Sequence, residues 1–283
     1  MIQAPSRFRI DLDHTEQLMR AVAAFTVDPL KNIVFYTFPF LRAMSSNYVQ
    51  MRENDASQDA MMPSTHKSLI LGEIENLSLA AKISRTVLCY AALNHHFGSY
   101  GGGCSLTKPA VFLPIQHLFR IGLPPFTQAP DPTLAGGLWN FSDHQTRFLI
   151  CRELAQIKHN NVMLRIAIKI SLIAAGFVFY ATPLSWMGGL ILFITALALY
   201  ILSEKRFESK MDQFAVDILA QKLDRPLAIQ TAIQTLEKMV EQNIARRNVN
   251  PLCRLYTRPN GNNLLDLTHP FLTSRIQRLK KMI

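Results

Sequence analysis

Charged residues are scarce in this chain, at 18% of 283 positions, and between Lys169 and Glu204 there are none at all. With 49% of the residues apolar, that scarcity departs from an ordinary soluble domain and points toward membrane segments. Cysteine is scarce too. Cys89, Cys104, Cys151 and Cys253 lie far apart and form no C-x-x-C pair, which excludes a zinc ribbon and fits free thiols in a reducing compartment rather than a disulfide framework. The stretch Met1 to Asp13 carries acids and an early proline and lacks a continuous apolar run, so no secretory signal peptide is expected there. No Lys/Arg block is interleaved with aromatics, and no zinc-finger spacing or internal repeat occurs. The formal charge of +10 therefore suits anionic lipid headgroups, and no nucleic-acid partner is expected. The length allows one large domain or two small ones.

The uncharged run exceeds the roughly 20 residues that one helix needs to cross a bilayer. Pro183 and the pair Gly188-Gly189 interrupt it. The simplest reading is a two-helix transmembrane hairpin, about 163–181 and 187–203, joined by Thr182-Pro183-Leu184-Ser185. Trp186 and Tyr200 suit interfacial positions. Arg165 and Lys169 lie one turn apart at the entry of the first span, where they can snorkel to the headgroups. Lys158, Arg165 and Lys169 bracket one outer end and Lys205, Arg206 and Lys210 the other, while the turn has no cation. The positive-inside rule then places both flanks, and both termini, on the cytoplasmic side. A hairpin returns the chain to the side it left, so residues before 162 and after 204 can build one site.

Residues 152–156 read Arg-Glu-Leu-Ala-Gln, the frame of an H-E-x-x-H zinc helix with its glutamate kept and both histidines replaced. In that motif, positions i and i+4 share a face and grip one metal ion while the glutamate polarises the bound water. Ser142-x-x-Gln145 is a capping-box start for this helix, predicted over about 143–161. After the uncharged run, Glu208 and Asp212 lie four apart in a helical pattern and share a face. Near the end comes His269-Pro270-Phe271-Leu272-Thr273-Ser274-Arg275-Ile276, where Thr268 or His269 is predicted to cap a last helix and Pro270 to occupy its first turn.

These three segments, in this order and around a hairpin, resemble the membrane-embedded zinc peptidases of the HtpX and CAAX-prenyl-protease type. The family pattern is H-E-x-x-H, a membrane segment or pair, E-x-x-A-D, then H-P-x-x-x-x-R-I. The resemblance covers about 140–283. It implies that Arg152 and Gln156 stand at the two histidine zinc-ligand positions and Glu208 at the third. Glu153 matches the general base, Asp212 the carboxylate behind the ligands, and Arg275 a terminal arginine near substrate or oxyanion, assisted by His269. Met211 departs from the pattern, which has alanine there. The segment Lys108–Pro114 is a candidate for the edge strand along which such proteases align a substrate.

A zinc site needs three or four good donors, and of the family's set only Glu208 remains. The fixed charge of Arg152 raises the cost of any cation beside it. Its guanidinium is instead expected to pair with Glu208 and to replace the metal as the bridge between two helices. Plainer readings exist for several residues. His159 is an ordinary surface residue rather than a substitute ligand, and His95-His96 a solvated pair whose side chains diverge. Gly101-Gly102-Gly103 is a flexible turn, without the spacing of a phosphate loop. Glu153 can be a helix carboxylate with a local partner, and Glu208 with Asp212 a solvated helix face.

The expected fold is mainly α with a small β-sheet around 85–115, a zincin-like metalloprotease fold carrying the transmembrane hairpin. The expected units are 1–66, a helical region with a polar break from Arg52 to His66; 67–162, the first protease-like part; 163–203, the hairpin; and 204–283, the second protease-like part. The expected function is that of a catalytically inactive pseudoprotease with no cofactor, which binds a peptide or membrane-protein partner at the bilayer. Two alternatives stand beside it: a divergent, active zinc metalloendopeptidase acting on membrane proteins, and a membrane scaffold without a working cleft.

Overall fold

The computed structural model describes residues 48–53, 55, 64–92, 101–104, 108–114, 118, 141–159, 171, 186–249, 251–264 and 269–283, and among these residues the apolar runs and helical periodicity resolve into four named strands and six named helices. The strands are β1 (Tyr48–Gln50), β2 (Leu88–Ala92), β3 (Gly101–Cys104) and β4 (Pro109–Pro114). The helices are α1 (Ser64–Ala80), α2 (Asp143–Lys158), α3 (Trp186–Leu219), α4 (Arg225–Val249), α5 (Pro251–Tyr256) and α6 (Leu272–Lys280). The architecture is mainly helical with one small sheet.

The sheet runs in the order β1-β2-β4-β3, with β2 and β4 parallel and the outer strands antiparallel to their neighbours. All six residues of β4 are buried, as an apolar run covered on both faces should be. This corrects the expectation that Lys108–Pro114 forms an edge strand. Its two prolines stand at its terminal positions, and Ala110, Val111 and Phe112 between them pair on both sides. A missing N–H at a strand end costs the ladder little. The edge is β3, and the glycines read as a turn lie opposite Ala110, Val111 and Phe112 of β4. At the other edge β1 pairs with β2, so the region expected to be helical up to residue 66 contributes a strand. The expected short helices at 21–45 and the pair His95-His96 lie outside the described residues.

Helix α2 is the centre of the core. Its apolar run Phe148-Leu149-Ile150-Cys151 and the following Leu154 and Ala155 are buried together with Ile70, Ile74 and Leu77 of α1, Val111 and Leu113 of β4, and Ala215, Val216 and Leu219 of α3. Its buried positions, Thr146, Phe148 to Cys151 and Glu153 to Gln156, fall on most sides of the helix, so neighbours enclose it. The predicted capping box is formed: Ser142 Oγ accepts from the Gln145 N–H at 3.3 Å, and Gln145 Oε1 accepts from the Ser142 N–H at 2.9 Å. Burial alone pushes the Cys89 thiol up to about 12, and burial followed by the nearby Glu73 carboxylate pushes the Cys151 thiol up as well, against the opposing pull of Lys222 and Arg147.

The expected hairpin is not seen as two spans. Its first arm and its turn lie outside the described residues, apart from Ser171, and among the described residues no helix is long and apolar enough to cross a membrane. The second arm is the first half of α3, which continues without a break into the Glu208–Asp212 segment. In that half Leu190, Ile191, Ile194, Leu197, Leu199 and Leu202 are exposed. The second half packs inward, and Met211, at the position where the family pattern has alanine, is buried in the core.

The terminal helix begins later than predicted. His269 and Pro270 precede it, Phe271 is its N-cap residue, and Phe271 makes no side-chain capping bond. The cap comes from a distant turn instead. Asn262 accepts from the Thr273 N–H at 3.3 Å through Oδ1 and donates to Thr273 Oγ1 at 2.9 Å through Nδ2. That turn depends on Gly261, whose φ of +76° suits glycine and whose Cβ, if it had one, would lie 2.7 Å from the Val240 carbonyl oxygen. Gly261→Ala is therefore expected to destabilise the protein by roughly 1–3 kcal/mol. Chemical denaturation of the two proteins measures this, and an unchanged midpoint would show that the turn tolerates the methyl group.

Candidate functional site

Three helices meet at one cluster of charge. Helix α2 brings Arg152, Glu153 and Gln156, α3 brings Glu208 and Asp212, and α6 brings Arg275, with His269 just before it. Glu153, Gln156, Glu208, Asp212 and Arg275 are all buried. The solvated-face reading of Glu208 and Asp212 is thus corrected: the stripe at i and i+4 faces α2 because the apolar residues of the same face, Ala215 and Leu219, pull it inward.

Arg152 is the hub. Its Nη2 donates to Glu208 Oε2, its Nε lies 3.3 Å from Asp212 Oδ1, and its Nη1 lies 3.7 Å from Glu153 Oε1. The pairing of Arg152 with Glu208 expected from the sequence is present. On the far side of Asp212, Arg275 closes a two-pronged pair, donating from Nε to Oδ2 at 2.7 Å and from Nη2 to Oδ1 at 2.6 Å. Planar guanidinium matches carboxylate in this geometry better than any other side chain. His269 Nε2 lies 3.8 Å from Glu208 Oε1, and its side chain is 29% exposed. All seven positions singled out by the resemblance thus fall on the elements that surround one place, six of them within a single ionic network or beside it.

Two neighbours were not foreseen. Glu204, one turn before Glu208 on α3, is fully buried. In the sequence it marks only the end of the uncharged run, although its spacing of four from Glu208 puts it on the same face. Phe271, between His269 and Arg275, carries the Lys205 ammonium 5.9 Å and the Arg258 guanidinium 5.5 Å from its ring centre. His159, read as an ordinary surface residue, is exposed. It is the C-cap residue of α2 and stacks on Phe214 with ring centres 3.8 Å apart. Partial burial, with Lys158 and Lys210 nearby, lowers its pKa below the ordinary 6.5.

Among the described residues no group of three or more His, Cys, Asp and Glu is arranged to hold a metal ion. What the cluster does hold is a set of carboxylates paired with guanidinium groups, a link between α2, α3 and α6.

The sequence pattern of peptidase family M48 matches residues 133–283, which takes in α2 through α6 and every residue of the cluster. No curated protein and no solved structure matches significantly.

Removing Arg275 would leave a buried carboxylate facing one guanidinium instead of two. Arg275→Met is expected to destabilise the protein by about 3–5 kcal/mol, the usual cost of breaking a buried pair. Arg275→Met with Asp212→Leu should regain most of that loss, because both charges are then gone. Denaturation of the single and double variants measures the difference, and equal losses would show that the pair is not what holds α6. His159 generates a pH dependence of known sign. Its folded pKa is the lower one, so its contribution is complete above 6.5 and is lost as pH falls through the folded value. His159→Phe keeps the stack and should flatten that part of the stability–pH curve; an unchanged slope would assign it to another group.

Proposed function

This chain belongs to peptidase family M48, and from that premise we propose that it is a membrane-anchored pseudoprotease, binding a peptide or membrane-protein partner in the former substrate cleft without cutting it. The observation that carries this reading is the position of the Arg152 guanidinium, between Glu208 and Asp212. In the HtpX and CAAX-protease pattern the same place belongs to a zinc ligand.

The residues present do not fit a zinc ion. Zinc takes three or four nitrogen, sulfur or oxygen donors in a tetrahedral shell. Glu208 is the one donor kept at a ligand position, and a guanidinium that stays protonated already binds it. A divalent cation would have to displace that guanidinium or sit beside it, and repulsion between like charges opposes both. Glu153 keeps its place on α2, and with the Arg152 guanidinium beside it, it serves as part of the ionic network.

Binding needs less than cleavage. β3 ends the sheet and packs against α2, so a peptide can add to it as a further strand through main-chain hydrogen bonds. This moves the expected substrate-aligning edge from β4 to β3. Anchoring is supported by the exposed leucines and isoleucines of the first half of α3 and by the absence of charge between Lys169 and Glu204. With that half in the bilayer, the cluster and both flanks of the uncharged run lie on the cytoplasmic side.

Metal analysis of the detergent-purified full chain tests the reading. No stoichiometric zinc is expected, and a chelator should leave the melting temperature unchanged, since a ligand that binds only the folded state stabilises it. One tightly held zinc per chain, or a fall of several degrees with chelator, would overturn it in favour of a divergent active peptidase.

A further inference from the structure

The first half of α3 is exposed in a way that a single protein partner does not explain. At 3.6 residues per turn, Leu190, Ile191, Ile194, Leu197, Leu199 and Leu202 spread over about 200° of the helix circumference. A helix that docks on one neighbour hides a stripe of roughly 100° or a little more. An apolar arc twice that width calls for a surrounding apolar solvent, which a bilayer supplies.

Just where that arc ends, the charges on α3 sort by sign. Glu204, Glu208 and Asp212 are all buried, whereas Arg206 and Lys210 are exposed and Lys205 is half-buried. The acids of this stretch thus turn into the protein body and the bases turn outward, within one or two turns of Leu202. A second element joins them. Arg258, an exposed residue of the turn after α5, places its guanidinium over the same Phe271 ring that takes the Lys205 ammonium. Phe271 therefore gathers cations from two distant parts of the chain at the boundary between exposed apolar helix and folded body.

We propose that Lys205 and Arg258, gathered around Phe271, and the exposed Arg206 beside Lys205 on α3 form a collar that binds the phosphate headgroups of anionic lipids. The proposal rests on the membrane-anchoring reading given above, and it assigns that reading a headgroup preference and the residues that carry it. Acids held inside keep the collar from being neutralised along α3, and a cation near an anionic surface gains about fivefold in partition, three of them on the order of a hundredfold. The half-buried Lys205 and the contacts with Phe271 take up part of that gain, so a several-fold preference is the expected size.

The experiment uses the purified full chain, equilibrated in micelles with equal amounts of phosphatidylglycerol and phosphatidylcholine. Native mass spectrometry then counts the lipids retained. Wild-type protein should hold phosphatidylglycerol several-fold over phosphatidylcholine, and the triple variant K205Q/R206Q/R258Q should hold both equally. Circular dichroism checks that the triple variant is folded; if it is not, R206Q alone, at an exposed side chain, should still lower the ratio. No preference in the wild type, or an undiminished one in the variants, would overturn the collar. Flotation with vesicles of phosphatidylcholine alone separates the two readings. A wild-type chain that floats with them but shows no headgroup preference refutes the collar only, while one that stays in the aqueous phase refutes the anchoring and the collar together.

Discussion

The Asp212 carboxylate accepts two hydrogen bonds from Arg275 and lies 3.3 Å from Arg152, so a single side chain of α3 holds both α2 and α6. A buried carboxylate with no cation nearby costs several kcal/mol even after relaxation. Glu153, Glu204, Glu208 and Asp212 are buried on the two helices that face each other. Two guanidinium groups shared among Glu153, Glu208 and Asp212 are what make the burial of those three possible. Arg152 and Arg275 thereby decide how α2, α3 and α6 pack, in the way that a bound cation would.

On the proposed pseudoprotease reading, that exchange keeps the site's outline without the donors of a zinc peptidase. A metal ion between two helices fixes their separation through short bonds to each; a forked guanidinium on one helix fixes it through hydrogen bonds to carboxylates on the other. The arginine needs its carboxylate partners as much as a metal would. Packing alone gives Glu208 and Asp212 a role, whatever the chemistry of the site. The same holds for Arg275, both of whose described donors are directed at Asp212.

Much of the helical framework is legible in the sequence, since the signals that define it are local. The capping box at Ser142, the apolar periodicity of α2, and the spacing of Glu208 from Asp212 each operate within a few residues. The strands are not legible in that way. Gly101-Gly102-Gly103 has neither β-branched side chains nor alternation, and it becomes a strand because β4 offers it a ladder. The edge-strand expectation for β4 came from the family resemblance, whereas its neighbours make it interior. The cap on α6 was equally hidden, because Asn262 is eleven residues from Thr273 in sequence and the fold brings them together. Glu204 was overlooked for a different reason. It ended the uncharged run and was read as a boundary, although the i, i+4 rule applied to Glu208 points straight to it.

Helix α3 is continuous from Trp186 to Leu219, a rod of about 50 Å at 1.5 Å per residue. Its exposed apolar half and its buried acidic half have no hinge between them, so the two ends turn together. Rotation of the outer half about the helix axis swings Glu204, Glu208 and Asp212 through the same angle, and tilt of the outer half levers them against Arg152 and Arg275. Whatever surrounds the leucines therefore sets the torque on the ionic cluster, and the lock between α2 and α6 registers forces applied far outside the folded body.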